Sequence, residues 1–223
     1  MGVSEENIVS FDSQESVTAY SSDYLRESES YVIDKYALPD KRVLDLGCGT
    51  GRTTVYIHKN GAEVVGIDPA EGMIKKGTEL HPELAGKLRV GDARKLDFPD
   101  NYFDLVFFSF NGLDNLFPIS ERELAVQEIK RVLKSGGVFA YSSHNSLALP
   151  HTKHGLLDLF KNIHRFRIGP HYRNINQGFG KLTQYYSNVW NESNWIKKEG
   201  FELVNIIGGA LSERFPMYIC KKL

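Results

Sequence analysis

The 223-residue sequence predicts an α/β fold: a mostly parallel, doubly wound sheet with helices on both faces and an inserted lid. Three observations lead there. Apolar runs of strand length alternate with helical patterns from residue 41 to 143. The first of those runs breaks into glycines at alternate positions, Gly47, Gly49 and Gly51. A long segment, 144–190, then interrupts the alternation before strand patterning resumes.

Residues 1–40 read as a helical extension. Residues 1–31 hold seven acids and one base, Arg26. The first dozen residues are expected to fray. From about Glu15 a helix is predicted, because Val17, Tyr20, Tyr24, Leu25, Tyr31 and Val32 recur at roughly helical spacing. Val43, Leu44 and Leu46 then form a buried strand that runs into the glycine loop, and Arg52 to Lys59 reads as a helix. Glycine lets the backbone take positive φ and approach a ligand that a Cβ would push away. A strand, a glycine loop and a helix start together present free N–H groups and partial positive charge to a polar ligand. A dinucleotide fingerprint needs Gly-x-Gly-x-x-Gly. Here Arg52 stands where its third glycine would be, which leaves NAD as a minority alternative.

Glu63 to Asp68 is a second apolar strand ending in an acid, 17 residues after Gly51. A carboxylate there can accept from both hydroxyls of a ribose, and Asp68 also suits the cap of a helix from about Ala70. Pro69 fits a first helical turn. Met73 lies one turn on, placed for an adenine ring or for core packing. Leu88 to Val90 is a third, short strand before Gly91, Asp92 and Ala93, and Phe103 to Phe108 a fully apolar fourth. A helix from Glu121 to Leu133 turns Leu124, Ile129, Val132 and Leu133 inward. Ser135-Gly136-Gly137 stops it before a fifth strand, Val138 to Ser142.

Asp-x-Gly-x-Gly-x-Gly at 45–51, followed by Asp68, Gly91-Asp92-Ala93 and Asp100 to Phe108, resembles the class I S-adenosylmethionine-dependent methyltransferases over residues 42–143. The resemblance implies a seven-stranded sheet with an antiparallel last strand, here Phe215 to Lys221 after Phe201 to Ile207. Core residues are then 41–143 and 191–223. It implies S-adenosylmethionine as cofactor, with Gly47, Cys48, Gly49 and Gly51 in its loop and Asp45 as an acid near its positive charge. It places Asp92 at the adenine amine, the Ala93 N–H at the ring, Ser109 and Phe110 at the methionine end, and Tyr20 on a helix covering that end. Asn111, Asp114 and Asn115 point to cofactor or acceptor. The loop after strand four, Ser109-Phe-Asn-Gly-Leu-Asp-Asn115, lacks the Asn/Asp-Pro-Pro-aromatic signature of nucleobase amino methylation.

The insertion 144–190 follows the carboxyl end of strand five, the ligand edge of an open sheet, and reads as a substrate lid. Between His144 and Lys181 it holds six bases against one acid, with His151, His154, His164 and His171 and interleaved aromatics. Arg165, Arg167 and Arg173 suit an anionic or aromatic small-molecule acceptor. The same composition would serve an RNA surface, while a solvated face plus a small core is the plainer account. His151 and His154, three apart, could share a helix face, but with no cysteine nearby and one distant acid no metal site is expected. His144 is the best-placed general base, with Tyr185 and His171 next. A methyl on a sulfonium needs alignment more than proton relay.

Net charge is −1, and no apolar run approaches the ~20 residues of a membrane span. The polar start is unlike a signal peptide. Two cysteines argue against a disulfide framework, so a reducing cytoplasm is expected, with the chain a monomer or homodimer. A protein that keeps cofactor binding without catalysis is the remaining alternative.

Overall fold

The computed structural model describes residues 3–22, 24–148, 169–176, 178 and 180–223. Its helices are α1 (Val3–Phe11), α2 (Gln14–Ala19), α3 (Glu27–Tyr36), α4 (Arg52–Lys59), α5 (Glu71–Leu80), α6 (Ile119–Val132) and α7 (Val189–Lys198). Its strands are β1 (Arg42–Leu46), β2 (Glu63–Asp68), β3 (Leu88–Val90), β4 (Phe103–Phe108), β5 (Leu133–Ser142), β6 (His171–Asn176), β7 (Lys181–Tyr186), β8 (Phe201–Ile207) and β9 (Met217–Lys222). Seven of them form one sheet in the order β3-β2-β1-β4-β5-β9-β8. The pairs from β3 to β5 are parallel, and β9 runs antiparallel to both β5 and β8. The expected mixed sheet is therefore present, antiparallel closing strand included.

Alternation along the strands explains the two layers. Leu44, Val106 and Phe139 share a cluster with Ala125, Val126 and Ile129 of α6 and Ile196 of α7. Their neighbours Val43, Leu105 and Val138 point the other way, onto Val32 and Ile33 of α3 and Ile57 of α4. A strand buried on both faces reads as an unbroken apolar run, as β4 does. The parallel register also lines up the carboxyl ends, pairing Leu46 with Ile67, Asp68 with Val90 and Phe108 with Tyr141. The chain leaves these strands through Gly47, Pro69, Gly91, Ser109 and Ser143 along one edge of the sheet.

Several boundaries differ from the sequence expectations. The first dozen residues are helical from Val3, because polar side chains of α1 find distant partners. Asn7 Nδ2 donates to the carbonyls of Asn115 and Thr183, and the Ser4 hydroxyl donates to Phe117 O. The single helix expected from Glu15 is two, α2 and α3. The break is stabilised where Thr50 Oγ1 donates to Tyr20 O and Arg52 to Tyr24 O, and the Arg26 N–H is capped by Glu29. In α6 it is Ala125 and Val126, not Leu124, that face inward; Leu124 is 45% exposed. The Ser135-Gly136-Gly137 stretch lies inside β5 rather than before it. Gly136 takes a φ of 71° where the β4–β5 register shifts, the geometry of a bulge. The last strand begins at Met217 rather than Phe215. In the region expected to form a lid, β6 and β7 make a separate antiparallel hairpin.

Candidate functional site

The carboxyl-end edge opens into a cavity of about 150 Å³. Its floor is the glycine loop. Gly47 takes a φ of 59°, and a Cβ on it would fall 2.8 Å from the Phe108 ring. Gly49, at φ 54°, is different: no atom lies within 4 Å of where its Cβ would stand. That bare backbone leaves room for a ligand to approach the loop closely. Gly47, Cys48 and Gly49 all line the cavity. Gly51 does not; at φ 86° it caps α4 and packs toward Leu84, so its role is in the fold of the loop.

Asp68 closes one side of the cavity, with Pro69 and Met73 beside it. Its Oδ2 accepts from the Gly49 N–H and its Oδ1 from the Ala70 N–H, both at 2.9 Å. Burial pushes this carboxyl up to about 6 in spite of those bonds. Each oxygen keeps a lone pair for an external donor. Met73 packs with Val17 and Ala70 and also reaches the cavity, so both expected roles meet in one residue. Gly91, Asp92 and Ala93 form the next wall. Asp92 is bound by its own neighbour, since Arg94 Nη2 donates to Oδ2 at 2.6 Å and Arg94 Nε donates to both oxygens. A ring amine at Asp92 therefore shares it with Arg94.

Asp45 was expected to face the ligand and instead lies behind the loop. It is buried, and Oδ2 accepts from Thr53 Oγ1 and Thr54 Oγ1 at 2.7 and 2.6 Å. Burial lifts it to about 6. This acid holds the start of α4 against β1 and does not line the cavity.

The roof comes from the N-terminal segment and from the exit of β4. Tyr20, Ser109 and Phe110 line the cavity, and the Tyr20 and Phe110 rings meet edge to face at 5.8 Å. Ser4, Asn7, Ile8 and Phe11 of α1 line it as well. They were missed because a polar, acidic segment carries no local sign of the long-range bonds that hold it. A buried ion pair fastens this roof to the floor: Arg52, first residue of α4, gives two bonds of 2.7 Å to Glu29 of α3. Burial pushes the Glu29 carboxyl up, but the bonds from Arg52 and the Arg26 N–H outweigh it and hold the group below its ordinary value.

The residues expected at the acceptor separate into two groups. Asn115 lines the cavity with Gln184 of β7. Asn111 and Asp114 are buried outside it. Asp114 Oδ2 receives the His144 backbone N–H at 2.7 Å and lies 2.8 Å from His144 Nδ1, while Oδ1 accepts from Ser143 Oγ. The His144 ring packs against Tyr186 at 4.5 Å and Phe215 at 5.3 Å. His171 also stacks with Tyr186, with Nδ1 2.7 Å from Gly169 O and Nε2 accepting from Arg173. The Arg173 guanidinium lies 4.6 Å from the Tyr186 ring centre. Tyr185 points to the opposite face of its strand, where it is buried on Tyr172 and the Arg122 guanidinium; its place is packing. Arg165 and Arg167, like His151, His154 and His164, lie outside the described residues. Among the described residues no group of histidine, cysteine and acidic side chains could hold a metal ion. Cys48 and Cys220 are free and buried.

Residues 43–137 match the family described as "Methyltransferase domain". A demethylmenaquinone methyltransferase of Streptomyces griseus is 42% identical over 101 residues, covering 45% of this chain and 41% of that protein. The Staphylococcus aureus (strain MRSA252) demethylmenaquinone methyltransferase is 32% identical over 164 residues, 72% of this chain and 60% of its own length. The chain thus spans less than two thirds of the curated relatives it matches. Among solved structures, a SAM-dependent methyltransferase from Methanosarcina mazei superposes with a TM-score of 0.64 at 20% identity, covering 86% of this chain and 97% of that one.

Proposed function

We propose that this chain, whose residues 43–137 match a methyltransferase domain, moves a methyl group from S-adenosylmethionine to an oxygen or nitrogen of a small molecule. The observation that carries this reading is the convergence of three successive strand ends, Gly47–Gly49, Asp68 and Asp92–Ala93, on one cavity. The residues fit the cofactor. The open space above Gly49 accommodates a ligand against the loop, the free lone pairs of Asp68 suit two ribose hydroxyls, and Met73 and Ala93 offer apolar contact to a purine. Tyr20, Ser109 and Phe110 would enclose the methionine end. When bound, S-adenosylmethionine supplies a methyl already activated on a sulfonium.

The protein's part is then alignment and exclusion of water. Helix α1 and Tyr20 roof the cavity, and the Arg52–Glu29 pair ties α3 to the loop below. The acceptor would enter beside Phe110, on the side of β7 and His144, where Arg173 adds positive charge. The curated relatives' name, demethylmenaquinone methyltransferase, supports an acceptor of the quinone class and does not bear out oxygen or nitrogen as the atom methylated.

The test has two stages. Calorimetry should show micromolar binding of S-adenosylmethionine and S-adenosylhomocysteine and none of NAD; the reverse preference refutes the reading. Labelled cofactor incubated with a metabolite extract, with and without nuclease, should then label a small, nuclease-resistant product. Label lost with nuclease would make the acceptor RNA. Tight cofactor binding with no label transferred would make the chain a non-catalytic binding protein.

A further inference from the structure

We infer that Gln184, on the β6–β7 hairpin, is a specificity-determining residue that holds the acceptor by accepting a hydrogen bond from a hydroxyl or N–H group on it. The inference rests on the methyl-transfer reading and adds the chemistry by which the acceptor is recognised. Alternate residues of a strand face one way, so Gln184 shares a face of β7 with Leu182 and Tyr186. Leu182 is buried there, and Gln184 is only 5% exposed. A polar side chain in such a place is expected to spend its hydrogen bonds. Gln184 spends one end. Its Nε2 donates to Asn115 Oδ1 at 2.9 Å, while Oε1, also buried, accepts from nothing among the described residues. Turning the amide over would gain nothing. Asn115 Nδ2 donates to Asn111 O and Gly112 O, at 3.4 and 3.3 Å, and a carbonyl can only accept. Asn115 therefore shows its oxygen to Gln184, which answers with nitrogen. Asn115 is a positioning residue, and Oε1 is what remains for a ligand.

The location selects the acceptor over the cofactor. Gln184 and Asn115 both line the cavity. In the sheet order β3-β2-β1-β4-β5, Asp92, Asp68 and Gly49 follow the first three strands and Asn115 follows β4. The hairpin is tied to the exit of β5, where the Ser187 N–H donates to His144 O and the Ser146 N–H to Ser187 O. Gln184 thus stands across from the residues that suit the nucleoside, on the rim left for the acceptor. That rim is clamped. Asn7 Oδ1 accepts from the Thr183 N–H at 2.9 Å, and Asn7 Nδ2 donates to Thr183 O and Asn115 O. Ile8, Phe110 and Leu116 line the same cavity, so the donor is carried on a largely apolar molecule. A phenol or an aromatic amine has that chemistry, and a quinone-class compound has it in its reduced, dihydroxy form. An acceptor atom buried without a bond is costly. A ligand with a donor relieves that cost, and an analogue without one leaves it in place, which is how such a site discriminates.

Two measurements on the full chain test this. Gln184→Met keeps the length of the side chain and removes its amide. With labelled S-adenosylmethionine and a metabolite extract, it should raise the acceptor KM, read as the extract concentration giving half-maximal transfer, by about 5- to 150-fold. Calorimetry should show unchanged affinity for S-adenosylhomocysteine, which also confirms an intact fold. The second measurement titrates two probes of one shape, phenol and toluene, into protein saturated with S-adenosylhomocysteine. By NMR the native chain should bind phenol about 2- to 10-fold more tightly than toluene, and Gln184→Met should lose that preference. Asn115→Leu should lose it too, since the Gln184 amide is then free to turn. An unchanged acceptor KM in Gln184→Met, or phenol held no better than toluene by the native chain, would overturn the inference alone. So would weakened S-adenosylhomocysteine binding in that variant, which would put Gln184 on the cofactor. No transfer by the native chain would overturn the inference together with the reading it rests on.

Discussion

Replacing Arg52 by methionine should expose the cost of the buried pair that joins the N-terminal roof to the glycine loop. The side chains of Glu29 and Arg52 are 1% and 11% exposed, and two bonds of 2.7 Å connect them. Without the guanidinium the Glu29 carboxylate keeps the Arg26 N–H at 2.9 Å but no opposing charge. Breaking a buried pair from one side costs about 3–5 kcal/mol. Protonation offers an escape: for a carboxyl with an ordinary pKa of 4.5, taking up a proton at pH 7 costs ~3.4 kcal/mol and at pH 5 only ~0.7. The loss at pH 7 should therefore be about 3 kcal/mol, a drop in Tm on the order of 10 °C for a chain of this size. It should shrink as the pH falls to 5. The sign agrees with linkage. In the native chain the depressed Glu29 contributes stability above its unfolded pKa that is lost on acidification, whereas the variant's stranded carboxyl gains from a proton. Urea denaturation at both pH values reads the difference, and Glu29→Gln in the Arg52→Met background should recover part of the loss. A loss under about 1 kcal/mol, typical of an exposed pair, or an equal loss at both pH values would refute the reasoning.

Asp68→Ala should weaken S-adenosylmethionine binding by ~1.5–3 kcal/mol, read by calorimetry on a folded variant. Because burial lifts Asp68 to about 6 and hydroxyl donors favour the ionised form, affinity should climb as pH rises through about 6 and level off above. Asp68→Asn should flatten that profile. Asp45→Asn should not, although Asp45 titrates in the same range, because it lies off the cavity. Hydrogen exchange in α1 and α2 should slow when S-adenosylhomocysteine is added, whereas equal protection would make the roof a fixed wall. Arg173→Ala should raise the acceptor KM and leave cofactor affinity nearly unchanged; a joint fall would show that it clamps the hairpin instead.

What the sequence makes legible is what local chemistry determines. The glycine loop, the acid closing β2 and the Asp92–Ala93 turn are short motifs whose backbone needs are written in their own residues, and the cavity gathers all three. Asp45 shows the limit of the same method. Its spacing before Gly47 is plain, yet whether the side chain points forward to a ligand or back to Thr53 and Thr54 depends on where α4 starts. Residues held by distant partners are harder still. Asn7 looks like a surface residue until Thr183 and Asn115 are brought to it. Arg122 and Glu192 sit in helices whose charged residues read as a solvent face, although both are buried. In α6, one Leu 45% exposed beside an inward Ala and Val shows hydrophobic identity misplacing the face by one residue.

The bonds of Asn7 also bear on how the molecule assembles. Helix α1 leaves the ribosome before the rest of this fold, and its anchors, Asn115 and Thr183, lie 108 and 176 residues later in the chain. A nine-residue helix is too short to persist alone in water. During synthesis it must wait, unfolded, until β7 has emerged. The glycine loop, Asp68 and Asp92 will by then have been made, so the ligand-binding edge can exist as an open trough well before it acquires its cover. Late docking of so early a segment predicts a slow final phase in refolding, visible as delayed protection of α1 amides, and brought forward by any ligand that occupies the trough.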